Sequence, residues 1–357
     1  MSADNAGKGL LLKADPIATT FRSEIQSTLA QRTQKPKLVG ILSTAAAPSK
    51  FYAEFTKKQC DDLGVEFVLK KVGSALDEKL SDGEGVEEAI IDANEDDSVD
   101  GIMVYYPIFG VQQDHYLQQV VSPFKDVEGL NFKFHYNLYH NIRYLKPSSL
   151  LSTTIQDSTP AAIEDQPPAG TVKSILPCTP LAIVKCLEHI GVYNKILPYG
   201  DRAYGKTVTV INRGWRPLAA LLANDGARVF SVDIDSIQEY TKRPSSTRRR
   251  TKRIPLSPSS RRPPVFLDSQ EILAQSDVVV SAVPSASYKV KTEWLKDGCV
   301  CLNVAADKNF EKEVREKASL YMPTIGKVTI MMLLRNLLRL QEYRKLLAED
   351  AKETPSA

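Results

Sequence analysis

Apolar residues return at four-residue spacing over Ile17, Phe21, Ile25 and Leu29, which predicts an opening helix across residues 18–33. The apolar run 37–42 is too short for a helix and leads into a Ser/Thr/Ala-rich stretch, so it reads as a strand entering a loop. A helix over 49–63 stopped by Gly64, a strand over 65–69, a helix over 85–94 and a strand over 100–106 ended by Pro107 continue the alternation. Residues 145–171 are Ser/Thr/Pro-rich and aperiodic, and read as a loop or linker.

A second alternating series opens with a helix over 180–190. It runs through a strand at 206–211, a helix at 216–224 and a strand at 228–233, then strands at 277–281 and 298–304. A long amphipathic helix from Val328 to about Ala348 closes the chain, and no repeat of solenoid length is present. Strands alternating with helices imply α/β architecture, with parallel sheets covered on both faces.

At 357 residues the chain has room for two domains. Its 43% apolar and 25% charged residues suit a folded core and exclude a fibrous or wholly disordered chain. The five cysteines form no C-x-x-C pair and the four histidines lack ligand spacing, so neither a disulfide framework nor a metal site is expected. The N-terminus resembles neither a secretory signal nor a presequence, having no Arg before Arg22. Arg335 and Arg339 break the apolar stretch near the C-terminus, so no membrane span is expected. A cytoplasmic protein fits these features. The net charge of +3 is local in origin, because Thr241 to Arg262 holds nine basic residues and no acidic one. Residues 153–172 and 244–264 read as inserts without means of building a core. Arg248-Arg-Arg-Thr-Lys-Arg253 has the composition of a nuclear localisation or nucleic-acid-binding run, but no aromatic residue is there to stack on bases. A solvated loop or translated intron is the preferred reading, with no nucleic-acid partner.

Chemistry enters at the turn Asn212-Arg213-Gly214-Trp215-Arg216, between the strand ending at Ile211 and the helix whose first turn holds Pro217. Free amides at such a helix start can hold a pyrophosphate. Asp233 follows Gly214 by 19 residues and ends the next strand, where a carboxylate accepts from ribose hydroxyls and repels a 2′-phosphate, favouring NAD over NADP. With one glycine the turn alone is weak evidence, and Asp233 could equally cap a turn.

Longer motifs carry a family resemblance. Ile175-Leu-Pro-Cys-Thr-Pro-Leu-Ala-Ile-Val184, Arg216-Pro-Leu-Ala-Ala-Leu-Leu-Ala-Asn-Asp-Gly226 and Gly326-Lys-Val-Thr-Ile330 resemble the methylenetetrahydrofolate dehydrogenase/cyclohydrolase family, and its fungal monofunctional, NAD-dependent branch in particular. Val104-Tyr-Tyr-Pro-Ile-Phe-Gly110 and Lys125-Asp-Val-Glu-Gly-Leu-Asn131 extend the match. The resemblance implies a two-lobed α/β fold. A folate-binding catalytic domain would span 1–175 and a Rossmann-like NAD-binding domain 176–327, with helix 328–348 returning to the first lobe. It also implies a homodimer built on the nucleotide-binding domain, and a cleft between the lobes floored by Tyr52, Tyr105 and Pro107. Tyr52, Tyr105 and Cys178 would be catalytic, although Cys178 reads equally well as a small buried residue. Asp126, Glu128 and Pro107 would bind substrate, the second carboxylate accepting two parallel hydrogen bonds from the pterin edge. Asn212, Arg213, Gly214, Arg216, Asp233, Val283 and Pro284 would bind NAD.

Three departures from the family pattern refine this. The bifunctional members carry a Lys four residues after the Tyr, where this chain has Thr56; Lys57 points about 100° away on a helix. That Lys serves hydrolysis, whereas hydride transfer needs mainly two oriented rings. Tyr105 replaces a Gln of the bifunctional enzymes, a second sign of a monofunctional site. The cofactor turn lacks three residues of the pattern Asn/Gly-Arg-Ser-x-x-Val-Gly, including the Ser, which implies weak NAD binding or a misread splice junction. The expectation is NAD-dependent oxidation of 5,10-methylenetetrahydrofolate to 5,10-methenyltetrahydrofolate in cytosolic one-carbon metabolism, without hydrolysis. The alternatives are a non-catalytic protein with a defective cofactor turn and a bifunctional enzyme.

Overall fold

The computed structural model describes residues 7–152, 165–234, 236–242 and 269–353. Strand β1 (Leu10–Leu11) precedes helix α1 (Asp15–Ala30), which buries Ile17 and Ile25 as their spacing requires. Then β2 (Lys37–Leu42), α2 (Ala47–Leu63), β3 (Glu66–Lys71), α3 (Val86–Glu95) and β4 (Gly101–Val104) build a parallel sheet in the order β3-β2-β4. Proline in the first turn opens α2, and Gly64, at φ 77°, closes it in the left-handed conformation that glycine adopts without steric cost. Side-chain alternation divides the sheet's faces. Val39, Ile41, Ile102 and Val104 pack under Val86 and Ile90 of α3, while Leu38, Leu42 and Met103 face Ala53 and Cys60 of α2.

Helices α4 (Val111–Val120) and α5 (Phe132–Tyr139) follow, neither of them anticipated. The first is mostly polar, and the second is eight residues of mostly aromatic and polar side chains, so neither carries a long apolar repeat. Within the span read as aperiodic, a 3-10 turn covers Pro147–Leu150, and β5 (Tyr144–Leu145) pairs antiparallel with β6 (Val172–Lys173). Of the two expected inserts, residues 153–164 and all of 244–264 lie outside the described residues.

Helix α6 (Cys178–His189) is apolar almost all round and is correspondingly buried. A seven-stranded sheet then forms from β7 (Thr207–Ile211), β8 (Arg228–Val232), β9 (Ile237–Tyr240), β10 (Val278–Ser281), β11 (Val300–Asn303) and β12 (Leu320–Met322) together with β1, in the order β1-β12-β11-β10-β7-β8-β9. Helices α7 (Arg216–Asn224) and α8 (Ser269–Leu273) lie between its strands in sequence. Every pairing is parallel except β8 with β9. The first strand of the chain therefore extends the second sheet rather than the first unit, a departure from the expected 1–175 division. Two residues give no periodic signal; the pairing is supplied by the exposed edge of β12.

The closing helix α9 (Gly326–Glu353) is longer at both ends than expected and packs on α1 and α6. Leu333, Leu334 and Leu337 are fully buried, each contributing about 1.5–3 kcal/mol. Through α6 and α9 one apolar core runs continuously from the first sheet to the second. Among the described residues no helix is long and apolar enough to cross a membrane.

Candidate active site

The end of β4 and the start of α2 bring the first group together. Tyr52 meets Tyr105 edge-on, with ring centroids 6.1 Å apart. One turn beyond Tyr52, Thr56 is fully buried and its hydroxyl donates to the Tyr52 carbonyl at 2.8 Å, the back-bond typical of Thr inside a helix. Lys57 is exposed, as its helical position requires. The Tyr105 and Tyr106 hydroxyls are buried without a partner of normal hydrogen-bond geometry; Thr56 is the polar neighbour of the first, and Glu128 faces the second. Burial holds both phenols well above their ordinary pKa, so both remain neutral donors. Pro107, joined to Tyr106 by a cis peptide, is exposed at the rim rather than on the floor.

The loop between α4 and α5 carries the carboxylates. Asp126 accepts from the amides of Glu128 (3.1 Å), Gly129 (2.9 Å) and Asn131 (2.7 Å), so both of its oxygens are used by the backbone. Expected at the substrate, it instead shapes the turn, because a buried carboxylate beside three free amides satisfies them first. Gly129 is needed there twice over: its φ is +71°, and a Cβ would come within 2.7 Å of the Leu176 backbone. Glu128 accepts from the Val104 amide at 3.1 Å through one oxygen, and its backbone carbonyl accepts from Cys178 N–H at 3.0 Å. Burial, reinforced by the Asp126 charge, pushes the Glu128 pKa up to about 8. Burial pushes the Cys178 thiol up to about 12, so it is no nucleophile at neutral pH, and it sits at the buried start of α6. Tyr52, Tyr105, Glu128 and Cys178 thus share one recess.

The second group lies beyond the carboxyl ends of β7, β8 and β10, the place where parallel sheets bind ligands. Asn212 adopts φ 97°; its side-chain amide donates to the Ala282 carbonyl at 2.8 Å, and its oxygen accepts from Gly214 N–H at 3.2 Å. Trp215 N–H donates to the Asn212 carbonyl at 3.2 Å, so the short turn satisfies its own amides. Arg213 opens that turn, with its side chain outside the described set; Gly214 and Arg216 are exposed, and Arg216 begins α7. Asp233 is half-buried after β8, with one carboxylate oxygen accepting from Ile234 N–H at 3.0 Å. Arg228 is engaged at the far end of β8 with Glu239 at 2.8 Å. The loop after β10 holds Val283 and an exposed Pro284. Among the described residues no hydrogen bond joins the second group to the first; α6 and α7, which pack together, begin at the two groups respectively.

The tetrahydrofolate dehydrogenase/cyclohydrolase catalytic-domain model matches residues 12–128. The chain is 44% identical over 335 residues to methylenetetrahydrofolate dehydrogenase [NAD(+)] of Schizosaccharomyces pombe, covering 93% of this chain and 92% of that one. It is 45% identical over 344 residues to the Saccharomyces cerevisiae protein of the same name, covering 93% and 96%. The chain belongs to the tetrahydrofolate dehydrogenase/cyclohydrolase family. The solved structure of the NAD-dependent Saccharomyces cerevisiae enzyme superposes with a TM-score of 0.78 over 95% of this chain and 99% of that one. A silkworm 5,10-methylenetetrahydrofolate dehydrogenase at 17% identity shares the fold, with a TM-score of 0.66.

Within this family member, the supports of both groups escaped the sequence reading. Asn336 of α9 donates to the Val127 and Leu176 carbonyls, each at 2.9 Å, and so clamps the Glu128 turn to the start of α6. Its one signal is an Asn beside Arg335 in the largely apolar closing stretch. Asn309 holds Val283 by a reciprocal pair of 2.9 Å bonds, and its own N–H donates to Asn303 at 2.8 Å. Tyr106 was passed over between Tyr105 and Pro107.

Proposed function

We propose that this protein oxidises 5,10-methylenetetrahydrofolate to 5,10-methenyltetrahydrofolate with NAD and releases the product unhydrolysed. The observation that carries the second half is Thr56. It is buried with its hydroxyl bonded to its own helix, so it can neither activate water nor move a proton as an amine would. Hydride transfer requires no such group, only alignment of two rings.

Glu128 is the pterin ligand in this reading. Ionised, its free oxygen and the one held by Val104 can accept two parallel donors from the N–C–N edge. Tyr52 and Tyr105 wall the recess and exclude water, Tyr106 offers a neutral donor, and Asp126, Asn336 and Cys178 position the turn. NAD, when bound, accepts the hydride. Asp233 suits an unphosphorylated ribose, since its second oxygen accepts nothing among the described residues. The amides of Gly214 and Trp215 are already satisfied, so the pyrophosphate would rest on the first turn of α7 and Arg216. Residues 1–175 with the C-terminal helix serve the folate and 176–327 the cofactor, apart from β1. The outer edge of β9 supports a homodimer through the second unit, and five unpaired buried cysteines support a cytosolic setting. The test is NAD reduction by the full chain on addition of 5,10-methylenetetrahydrofolate. Substrate-dependent NADH formation is expected, and NADP reduced faster than NAD, or neither reduced, would refute the reading.

A further inference from the structure

Helices α5, α6, α7 and α9 line a cavity of about 210 Å³ that neither group of site residues borders. Three carboxylates line it and each is already paired: Asp165 with Lys173 at 3.1 Å, Asp225 with Arg143 at 2.7 Å, and Glu188 with Lys185 at 2.7 Å. Arg335 and Arg339, one turn apart on α9, are less closely met, although Arg335 also lies over the Phe21 ring at 5.3 Å and contacts Met332 Sδ at 3.9 Å. Arg339 donates a single long bond, 3.4 Å, to the Ser174 carbonyl, and the carboxylate nearest Arg335, Glu24, stands 3.9 Å away. Two guanidiniums at this spacing repel each other and leave most of their ten N–H donors unused. Burial and Arg335 together lower the pKa of Arg339, a cost that an anion between them would remove.

We infer that this cavity binds a compact dianion, a phosphate or a short dicarboxylate, held by Arg335 and Arg339. A compact ligand suffices to meet both guanidiniums, since Arg335 and Arg339 stand four residues apart on α9, about 6 Å at ~1.5 Å per residue. Charge rather than stacking must recognise it: the Tyr199 ring already carries Arg143 at 4.7 Å and Lys173 and Arg202 at 5.5 Å. The site is separate from the cofactor turn. Leu221 and Asn224 line the cavity near the end of α7 and Arg216 begins that helix, about 12 Å away at ~1.5 Å per residue.

Calorimetric titration of the full chain with inorganic phosphate, and separately with succinate, in chloride buffer tests the assignment. We expect saturable one-to-one binding of at least one of them, the tighter anion naming the ligand class. Arg339→Met and Arg335→Met should each weaken it about tenfold or more, and Arg339→Lys less, because charge is kept and the fork is lost. Arg216→Met should leave it within about twofold. If Arg339→Met does not fold, Arg335→Met and Arg339→Lys carry the result. Failure of both anions to saturate would overturn the inference. So would binding that survives Arg339→Met but is lost in Arg216→Met, which would put the anion at the cofactor turn.

Discussion

Among the described residues no cation stands beside the Glu128 carboxyl, and burial lifts its pKa to about 8. A pterin edge presents donors, which bind the ionised form and pull its pKa down on binding. Affinity for a folate analogue should therefore rise with pH, about tenfold per unit below 8, and level off above it. Glu128→Gln should flatten that profile, and a wild-type profile already flat between pH 6 and 8 would contradict the role. In the proposed function Asp233 carries the cofactor choice. Asp233→Ser removes a charge that repels a 2′-phosphate and accepts from ribose, so the ratio of NAD to NADP affinity should fall about ten- to a hundredfold. Titration of both cofactors checks it, and an unchanged ratio would show that selection lies elsewhere. Tyr52, Glu128 and Asp233 could be singled out because each sits in a local motif, and the roles they carry are those proposed above. Asp126 was legible as a residue but not as a job, since only the fold shows that three amides claim it. Tyr106 and Asn309 were not legible, because the first takes its place from the distant Glu128 carboxyl and the second from the distant Val283 backbone.

Among the elements, the closing helix and the cofactor turn carry the most consequence. Asn336 reaches from α9 to two carbonyls on separate loops, so Asn336→Ala strands both in a buried place. A loss of about 2–4 kcal/mol in urea unfolding is expected, with a raised KM for the folate, and a change below about 0.5 kcal/mol would deny the clamp. The shortened turn closes on itself through Asn212. Replacing Gly214-Trp215 with a five-residue Ser-Ala-Ala-Val-Gly turn should free amides for the pyrophosphate and tighten NAD about tenfold by calorimetry. No gain would mean that Arg216 and the helix start already suffice. Helices α2, α6, α7 and α9 were readable from apolar spacing and their proline or glycine ends. The polar α4, the short α5, β1 and β9 were not, because tertiary pairing rather than periodicity decides them.

At the scale of the molecule, α6 and α9 join the two sheets through one core, so the recess proposed for the folate and the crevice proposed for the cofactor are held by shared helices. That arrangement orients two rings and supplies no amine for hydrolysis at position 56. The direct measurement is the yield of methenyl product for each NADH formed, followed in one reaction with 5,10-methylenetetrahydrofolate and NAD. The account predicts one methenyl for each NADH, decaying afterwards at the rate seen in buffer alone. Methenyl that decays faster in proportion to enzyme concentration would show hydrolysis and contradict it.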